Sequence, residues 1–521
     1  MQSFIHRHAD KVLGVLSGFD RLVLRGSLRQ ISFVEGMKGL LWHRQVLLKN
    51  FKEYALETTK KVRESSLRAA EAAGRPALYL PSGKTNKEQV ALEIAAKDGV
   101  TDGLICVLEC VEPCMTYEVH RSRERKRLEL QPRASKCKFL YHYMVDPVFG
   151  LMNARIQTWF PFSVQLCING REWLARAMDR VGLGYERRDN CFAQIDDVEK
   201  AQRLMDQQLE LAWPKELARI AGTLNPAHGE IFKGFKPKGI DLDYYWSVYQ
   251  SEWATDVMFQ DARSLAELYR PLVLHGITTY SSGDVMRFLG RKVHGGFRGE
   301  VVSDFKDRAE GIRLKHSVGK NSVKVYDKQG SVLRVETTIN EPNDFKVFRT
   351  KEGDDAGEKE WRPMRRGVAD LHRRTQVSQA SNDRYLEALA AVDTSTSLGD
   401  LFATINRPVT WKGARVRGLR PWAPDDLALL RAVSRGEFCV SGFRNRDVQT
   451  HLYTGSAPSR EEARRRSGRV SRLLRLLRAH GLIRKLPKSH RYKLSDKGRQ
   501  VATAVLAAHG LSLEQINRAV A

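Results

Sequence analysis

Four acidic residues in the first half of the chain have the types and settings that metal-dependent phosphodiester chemistry requires. That chemistry takes several convergent carboxylates, which hold the metal ions while these bind the attacking and leaving oxygens. Asp20 opens the strand-like run "DRLVLRGSL", and Glu112 interrupts the apolar strand "GLICVLECVEP", where a charge is costly. Glu252 and Asp256 lie in "YYWSVYQSEWATDVMF", and a helix there would place both on one face. We predict catalytic roles for all four.

Three of these acids, Asp20, Glu112 and Asp256, are the predicted ligands of Mg²⁺. Their order matches folds related to ribonuclease H, in which one acid lies on the first strand, another on a central strand and the last on a helix. A ribonuclease-H-like core is therefore one alternative for this part of the chain. Glu109 also lies in the apolar strand, but residues 109 and 112 have opposite parity, so at most one of them faces a given pocket.

The stretch "NSVKVYDKQGSVLRVETTIN", residues 321–340, predicts a β-hairpin around a Lys-Gln-Gly turn. One predicted face is apolar, and the other carries the polar residues Lys324, Tyr326, Arg334, Glu336 and Thr338. Two interpretations stay open. The polar face is ordinary cross-strand charge pairing, or it belongs to a phosphate-binding surface with Lys315, His316 and Lys320. The words "YDK" and "LRVE" resemble hairpins in replication initiators of filamentous phages and related plasmids, although the His-hydrophobic-His metal motif and the tyrosine nucleophile of rolling-circle initiators are missing.

The 521 residues exceed what one core normally holds, so several domains are expected. Apolar strand-like runs alternate with amphipathic helical runs, which predicts a multidomain α/β or α+β body. Composition and patterning divide the chain into a mixed α/β body, a helical region with a basic loop, a hairpin and helical region, a basic linker and a nucleic-acid-binding domain. These segments are residues 1–210, 211–300, 301–405, 406–424 and 425–521.

The last segment contains the clearest pattern. "SREEARRRSGRVSRLLRLLRAHGLIRK" predicts a helix with Ser459 as N-cap, a leucine stripe and a stop at Gly481. Two shorter helices precede it, and "HRYKLSDKGRQV" follows it as the second strand of a basic hairpin and the start of a closing helix. Residues 425–506 resemble the winged-helix family, specifically its MarR-like branch. The resemblance implies a third helix in the major groove and a wing at the phosphates.

Carried over onto this chain, the resemblance implies two groups of nucleic-acid-binding residues. The helix contributes Arg464, Arg465, Arg466, Arg469 and Arg472, and the wing contributes Lys488, His490 and Arg491. Two other readings stay open, because an arginine-rich helix can be a solvated face and winged helices also bind proteins. The position of this domain at the end of a long chain means that regulation of transcription does not follow.

The charge balance independently indicates a polyanionic partner. Lys and Arg number 87 against 61 Asp and Glu, which gives a net charge of +26. Nucleic acid is the expected partner, with DNA first and structured RNA as the alternative. The chain has no apolar run of membrane-spanning length, no signal-peptide pattern and an odd number of cysteines, seven, so we expect a cytoplasmic protein.

The body also resembles a group of long, multi-copy bacterial proteins described as transposase-like, through "FDRLVLRGSL", "QTWFPFSVQLCINGREWLA", "DNCF" and the hairpin. This resemblance implies a mobile-element setting and no particular reaction. Three hypotheses follow. A metal-dependent nuclease or strand-transfer enzyme predicts that Asp20, Glu112 and Asp256 converge. A non-enzymatic binder of structured RNA or DNA predicts scattered acids and a continuous basic groove. A replication initiator or transcriptional regulator predicts a homodimer on a repeated half-site.

Overall fold

The computed structural model describes most of the chain and has one large sheet at its centre. The described residues are 1–81, 84–225, 227–236, 239, 242–280, 282–291, 301–308, 311–351, 357–390, 398–435, 438, 442–486 and 489–509. The sheet has eleven strands, and every neighbouring pair is antiparallel except the parallel pair at one edge. This mixed sheet, with sixteen α-helices in the described residues, confirms the predicted mixed α/β class. No described helix is long and apolar enough to cross a membrane.

The first half of the body runs to about residue 236 and contains eight strands and eight helices among its described residues. The strands are β1 Val12–Ser27, β2 Ala77–Tyr79, β3 Gly103–Ser122, β4 Arg127–Asp146, β5 Gly150–Gln157, β6 Val164–Asn169, β7 Tyr185–Arg188 and β8 Cys191–Ile195. The helices are α1 Gln2–Arg7, α2 Val34–His43, α3 Phe51–Ala72, α4 Lys87–Asp98, α5 Gly170–Arg180, α6 Val198–Asp206, α7 Trp213–Leu224 and α8 Ala227–Phe232.

The second half of the body follows the same plan with fewer helices. Its strands are β9 Tyr245–Phe259, β10 Val301–Arg308, β11 Gly311–Val318, β12 Asn321–Lys328, β13 Val332–Ile339, β14 Lys346–Arg349 and β15 Glu360–Pro363. Its helices are α9 Ala262–Thr279, α10 Ser282–Phe288 and α11 Leu371–Leu389.

The strand order shows that the two halves repeat one topology. The order across the sheet is β10-β11-β12-β13-β9-β1-β6-β5-β4-β3-β2. In each half a central strand is followed by helices and then by four antiparallel strands, the last of which pairs with the central strand. The central strands β1 and β9 pair antiparallel with each other, so the order is a palindrome apart from the extra edge strand β2. The sheet therefore has an approximate internal two-fold symmetry.

The two faces of the second half of the sheet differ sharply. The odd-numbered residues of β12 and β13, such as Val325 and Val335, are buried in an apolar core with α9, α10 and α11. On the same side, Asn382 of α11 accepts a hydrogen bond from Thr337 at 2.7 Å and donates one to Thr255 at 3.2 Å. The even-numbered side chains of β12 and β13 point the other way, and we call the face that carries Lys324, Tyr326, Arg334 and Glu336 the site face.

The predicted hairpin at residues 321–340 is confirmed as β12 and β13. Its turn contains Gln329 and Gly330, both with positive φ, which suits the tight turns of two-stranded hairpins. The prediction of a helix over residues 244–259 is wrong, because Tyr245–Phe259 is β9. This strand is hydrogen-bonded on both sides, to β1 and to β13, and long-range pairing of that kind overrides local helical spacing.

The C-terminal region forms its own apolar core. Its elements are α12 Leu398–Ala403, β16 Val409–Trp411, β17 Ala414–Val416, α13 Pro424–Val433, α14 Asn445–Leu452, α15 Arg460–Ala479, β18 Ile483–Lys485, β19 Tyr492–Leu494 and α16 Asp496–His509. Ser459 caps α15 by accepting from the Glu462 amide at 3.1 Å, and Gly481 follows the helix with φ 71°, as the sequence predicts. The proposed linker at residues 406–424 holds a short hairpin, and Leu419 packs in the C-terminal core.

Candidate active site

A polar pocket opens on the site face where the two halves of the sheet meet. It has a volume of about 730 Å³ and is lined from both sides. The first half contributes Asp20, Arg21 and Asn169 among others, and the second half contributes Glu252, Lys324 and Glu336. A concave site of this size is within the range of about 300–1,000 Å³ that ligand pockets occupy.

Three carboxylates converge at this pocket. Oxygen atoms of Asp20, Glu252 and Glu336 all lie within 4.8 Å of one another. A β-bulge places the first of them, because the register passes from Phe19 opposite Trp253 to Arg21 opposite Glu252 and leaves Asp20 as the extra residue. The bulge turns the side chains of both Asp20 and Arg21 toward the pocket. We call Asp20, Glu252 and Glu336 the carboxylate trio.

Arg334 connects the trio to Asp256. Its guanidinium donates to Asp20 Oδ1 at 2.8 Å and to the two oxygens of Asp256 at 2.6 and 2.8 Å. Asp256 also accepts from Arg171 Nη2 at 2.9 Å, and all three of Asp256, Arg171 and Arg334 are buried. Although burial alone would raise the pKa of Asp256, the two guanidinium groups hold it below its ordinary value. Asp256 thus forms ion pairs with both arginines, and it holds the Arg334 guanidinium in position beside Asp20.

Glu336 is the most buried member of the trio and has two partners from β12. Lys324 Nζ lies 2.6 Å from Glu336 Oε1, and the Tyr326 hydroxyl donates to Oε2 at 2.9 Å. Burial would raise the pKa of Glu336, but the Lys324 ammonium, the Arg334 guanidinium and the Tyr326 hydroxyl together lower it. Glu336 is therefore ionised in the resting site.

The other two members of the trio carry charge that the site does not fully compensate. Burial, with the nearby Glu336 charge, raises the pKa of Glu252 to about 7. Burial also raises the pKa of Asp20, and its pairing with Arg334 only partly offsets this. Gln250 donates to Glu252 at 2.8 Å, but a neutral amide compensates less charge than a cation. A further positive charge at this site would therefore interact favourably with Glu252 and Asp20.

The hairpin formed by β7 and β8 is joined to the site through its turn. Asn190 donates to Asp20 Oδ1 at 2.7 Å, and its own side-chain oxygen accepts from Asn169 at 2.8 Å. Arg334 donates to the Asn190 carbonyl at 2.7 Å, and Lys328 pairs with Asp189 at 2.6 Å. This turn is the "DN" of the motif "DNCF". Hydrogen bonds from two separate segments, the β7–β8 turn and β13, therefore fix the position of Asp20.

The start of α5 approaches the site closely. Asn169 is its N-cap, and the side-chain oxygen accepts from the Arg171 and Glu172 amides at 2.8 and 3.2 Å. Gly170 follows, and a Cβ atom there would lie 2.0 Å from the Phe19 carbonyl oxygen. Glycine is required at this position because helix and strand backbones touch. The close contact places Asn169 beside Asn190 and Arg171 beside Asp256.

Glu112, a predicted metal ligand, lies outside the pocket. It accepts from Arg155 Nε and Nη2 at 3.0 and 2.8 Å and from the Tyr141 hydroxyl at 2.9 Å, and Lys87 Nζ lies at 3.2 Å. Burial would raise the pKa of Glu112, but Arg155 and Tyr141 lower it to about 2. Glu109 pairs separately with Arg63 and Lys138. The predicted convergence of Asp20, Glu112 and Asp256 is therefore replaced by that of Asp20, Glu252 and Glu336.

The arginines predicted to bind nucleic acid lie along α15. Arg464, Arg465, Arg469 and Arg472 are exposed. Arg469 pairs with Asp425 at 2.8 Å and Arg465 with Glu462 at 2.9 Å. Arg466 is half-buried, with its guanidinium 4.7 Å from the Tyr453 ring centroid.

The remaining predicted nucleic-acid residues are divided between the wing and β11. His490 is exposed, Arg491 donates to the Gly442 carbonyl at 2.9 Å, and Lys488 lies outside the described residues. Lys315 is half-buried and Lys320 is exposed. His316 instead faces the helices, where it contacts the Tyr385 hydroxyl at 3.0 Å, and burial lowers its pKa to about 4. A neutral imidazole in that position does not face a phosphate.

Sequence reasoning missed Glu336 as a member of the site and treated its contacts as ordinary pairing. The Lys324–Glu336 pair is indeed a cross-strand pair, but it is buried at a pocket. One sequence signal was available. Charged side chains alternate with valine and leucine in β12 and β13, whereas strands that are buried on both faces are usually apolar throughout. Asn169, Arg171 and Asn190 lie in the motifs "QTWFPFSVQLCINGREWLA" and "DNCF", but only the fold brings Asn169 and Asn190 to the pocket and Arg171 to Asp256.

Comparisons of the chain with protein-family models, with curated protein sequences and with solved structures gave no match. No relative therefore supplies a reaction or a ligand for this pocket. The function has to be inferred from the carboxylates, the cations and the shape of the pocket.

Proposed function

We propose that this protein is a metal-dependent nucleic-acid-processing enzyme of a mobile genetic element, a nuclease or strand transferase. The carboxylate trio would hold Mg²⁺, and the C-terminal region, as a winged helix, would recognise the DNA site. The observation that carries the proposal is the convergence of three carboxylates within 4.8 Å at the pocket, where Glu252 has its pKa raised to about 7. A divalent cation bound there would offset both the burial and the neighbouring Glu336 charge that raise the pKa of Glu252.

The chemistry of the trio suits Mg²⁺. Magnesium prefers oxygen ligands and is commonly held by one or two carboxylates together with substrate phosphates. Asp20, Glu252 and Glu336 offer carboxylate oxygens alone, with no thiolate or imidazole among them. A magnesium ion here would polarise a phosphoryl oxygen and stabilise a leaving oxygen.

The cations around the trio suit a phosphodiester substrate. Arg21 and Arg313 line the pocket, and within the described part of the chain neither forms a salt bridge with a carboxylate. Lys324 pairs with Glu336 in the resting site and would be released toward a phosphate once a metal ion took over that pairing. The net charge of +26 supplies the longer-range attraction for a polyanion.

A non-enzymatic binder of structured RNA or DNA is the second candidate, and one observation favours it. Lys324 and Arg334 already form ion pairs with Glu336 and Asp20, at 2.6 and 2.8 Å. In that case the cations would serve as permanent structural partners, and the trio would need no metal. A homodimeric replication initiator or transcriptional regulator remains a third alternative that these contacts do not favour.

The test is strand cleavage by the purified full chain. Labelled single-stranded DNA, duplex DNA and structured RNA would each be incubated with Mg²⁺ or with EDTA. We expect Mg²⁺-dependent cutting or joining of DNA. Glu336→Gln should reduce the rate at least about 100-fold, because even outer partners of a metal site are worth about 10- to 100-fold. Its affinity for the DNA should remain.

Two control variants make the result specific. Glu112→Gln removes a carboxylate of the same sheet face outside the pocket, and we expect the cutting rate to stay within about twofold. The double variant Arg464→Ala/Arg472→Ala should weaken DNA binding and its salt dependence. Binding without cutting under either condition, for all three nucleic acids, would establish the binder. Equal loss in Glu336→Gln and Glu112→Gln would remove the trio from the mechanism.

A further inference from the structure

We propose that Cys114 and Cys137 form a reversible disulfide bond when a peroxide oxidises the protein. The two residues lie on β3 and β4, and Cys114 Sγ is 3.1 Å from Cys137 Sγ. A disulfide bond is about 2.05 Å long, so the two sulfur atoms need to approach each other by only about 1 Å. The inference goes beyond the proposed function and does not depend on it, because it involves neither the pocket nor a metal ion.

The register of the two strands brings these cysteines together. Cys114 lies opposite Ser135, and Cys137 lies opposite Glu112, two residues earlier on β3. The cysteines are therefore diagonal neighbours on one face of the sheet, where side chains of adjacent strands reach each other. The contact between the thiols follows from the strand pairing and requires no movement of a helix or loop.

The remaining described cysteines have different surroundings. They are Cys106, Cys110, Cys167 and Cys191. The thiols of Cys110 and Cys191 donate to oxygen atoms at 3.3 and 3.1 Å, and the sulfur of Cys167 accepts from a guanidinium. Of the cysteines that the structure describes, Cys114 and Cys137 are the two whose thiols contact each other.

The two thiols differ in exposure, which assigns them different roles. Cys114 is partly exposed, whereas Cys137 is buried in a small apolar cluster with Phe139. A peroxide therefore reaches the Cys114 sulfur first, since oxidation of a cysteine requires access from solvent. Cys137 is shielded from solvent and contacts Cys114, so it reacts with Cys114 once that residue is oxidised. Cys114 is thus the attacking thiol, and Cys137 is the resolving thiol.

The reaction balances with hydrogen peroxide as the oxidant. The Cys114 sulfur attacks a peroxide oxygen, an S–O bond forms and the O–O bond breaks, which gives a sulfenic acid and one water molecule. The Cys137 sulfur then attacks the Cys114 sulfur, an S–S bond forms, the S–O bond breaks, and a second water molecule leaves with the Cys137 proton. The two sulfur atoms lose two electrons in total, and the two peroxide oxygens gain them. Exchange with a small thiol restores both cysteines.

The disulfide would cross-link a part of the sheet that has no third strand. Strand β2 pairs with β3 only as far as Glu109, and β5 pairs with β4 only from Phe139 onward. The rest of β3 and β4 is a two-stranded ribbon, and the cysteines lie at its base. Because an isolated two-stranded ribbon is marginally stable, the disulfide should slow amide hydrogen exchange in this ribbon.

The experiment compares the full chain before and after treatment with hydrogen peroxide, without added metal. We expect the intact protein to lose the mass of two hydrogen atoms. After alkylation of the free thiols and digestion with trypsin, mass spectrometry should find the peptide Asp98–Arg121 linked to Cys137–Lys138. Fragmentation should assign the link to Cys114 and not to Cys106 or Cys110, which lie in the same peptide. Dithiothreitol should separate the two peptides.

Single serine variants test the two roles. Cys137→Ser should stop at the sulfenic acid, so dimedone, which labels sulfenic acids, should label Cys114. Cys114→Ser should give neither the linked peptide nor a dimedone label on Cys137. Cys110→Ser is the matched control, because Cys110 lies four residues from Cys114 on β3 and donates its thiol to Glu112. This variant should form the linked peptide at the wild-type level.

The wild-type chain alone can overturn the inference, even if a variant fails to fold. If peroxide oxidises other residues while Cys114 and Cys137 stay reduced, the inference is wrong. A link from Cys137 to another cysteine, a link between two chains, or loss of the link in folded Cys110→Ser would also overturn it. Because no cleavage of nucleic acid is measured, none of these results bears on the proposed function.

Discussion

Two carboxylate sites on one sheet show how the same residue type acquires opposite properties. Glu112, in the first half, is surrounded by Arg155, Lys87 and the Tyr141 hydroxyl, and its pKa is lowered to about 2. Glu252, in the second half, faces two other carboxylates, and its pKa is raised to about 7. Burial raises the pKa of both carboxylates and is the largest cause of the raised pKa of Glu252, where the neighbouring Glu336 charge adds to it. At Glu112 the hydrogen bonds from Arg155 and Tyr141 outweigh burial, so the neighbouring groups decide the sign of each shift.

The same contrast extends to the strands that the internal symmetry relates. In the first half, β5 and β6 bring the neutral pair Asn153 and Cys167 to the pocket. In the second half, the corresponding strands β12 and β13 bring Tyr326 and Arg334. The symmetry-related strands therefore differ, because β12 and β13 bring charged side chains to the pocket where β5 and β6 bring neutral ones. The charged groups of the first half come from other segments, such as Asp20 and Arg21 of β1.

The largest expected effect comes from removing the arginine at each centre. Arg334→Met leaves Asp20 and Asp256 buried without their shared cation, and loss of one partner of a buried ion pair costs about 3–5 kcal/mol. Arg155→Met leaves Glu112 with Lys87 and Tyr141, so about 1–2 kcal/mol is expected. Urea unfolding of both variants measures the difference. Equal losses of unfolding free energy would show that the ion pairs of Arg334 contribute no more stability than those of Arg155.

The second prediction concerns pH. Glu252 has a raised pKa in the folded chain, so the folded state binds more protons than the unfolded state between about pH 4.5 and 7, and stability falls as pH rises through that range. Glu252→Gln should therefore stabilise the protein by about 1–2 kcal/mol at pH 8 and by almost nothing at pH 4.5. The measurement is the free energy of unfolding against pH, in metal-free buffer.

The first half should show the opposite sign. The pKa of Glu112 is lowered to about 2, so its ionisation adds stability above about pH 4.5, and this stability is lost as pH falls through the range down to 2. Glu112→Gln should destabilise the protein at pH 8 by about 1–2 kcal/mol, and most of that loss should persist at pH 5. The same sign for both variants at pH 8 would contradict the contrast between the two sites.

Local features of the fold could be predicted from the sequence, and the assembly of the site could not. The hairpin at residues 321–340 follows from alternation and a turn, and the Ser459 cap follows from its residue type. Both depend on neighbours in the chain. The contact between Asp20 and Arg334 joins residues 314 positions apart, and nothing near either residue specifies the other. That information lies in the pairing of β1, β9 and β13.

The candidate acids illustrate the same limit. Asp20 and Glu252 were predicted, and both belong to the trio. Glu112 and Asp256 were predicted on equal grounds, yet arginines engage both of them in ion pairs. The sequence shows that a carboxylate in an apolar strand is buried at a cost in free energy. A cation or a metal ion can compensate for that cost, and only the three-dimensional neighbours of the carboxylate show which of the two does so. A bulge at Asp20 also lies beyond any local pattern.

The smallest expected effect tests whether the trio is built to receive a cation. Lys324 Nζ lies 2.6 Å from Glu336 and competes with a metal ion for the same charge. Lys324→Met should therefore tighten binding of Mn²⁺, used as a spectroscopic substitute for Mg²⁺, by about fivefold, equivalent to about 1 kcal/mol. Lys87→Met removes the matching lysine beside Glu112 and should leave Mn²⁺ binding unchanged. Electron paramagnetic resonance titration at pH 8 measures both. If Lys324→Met weakens binding, or if Lys87→Met tightens it equally, the excess negative charge of the second half does not define a metal site, and its lysine and arginine are permanent structural partners.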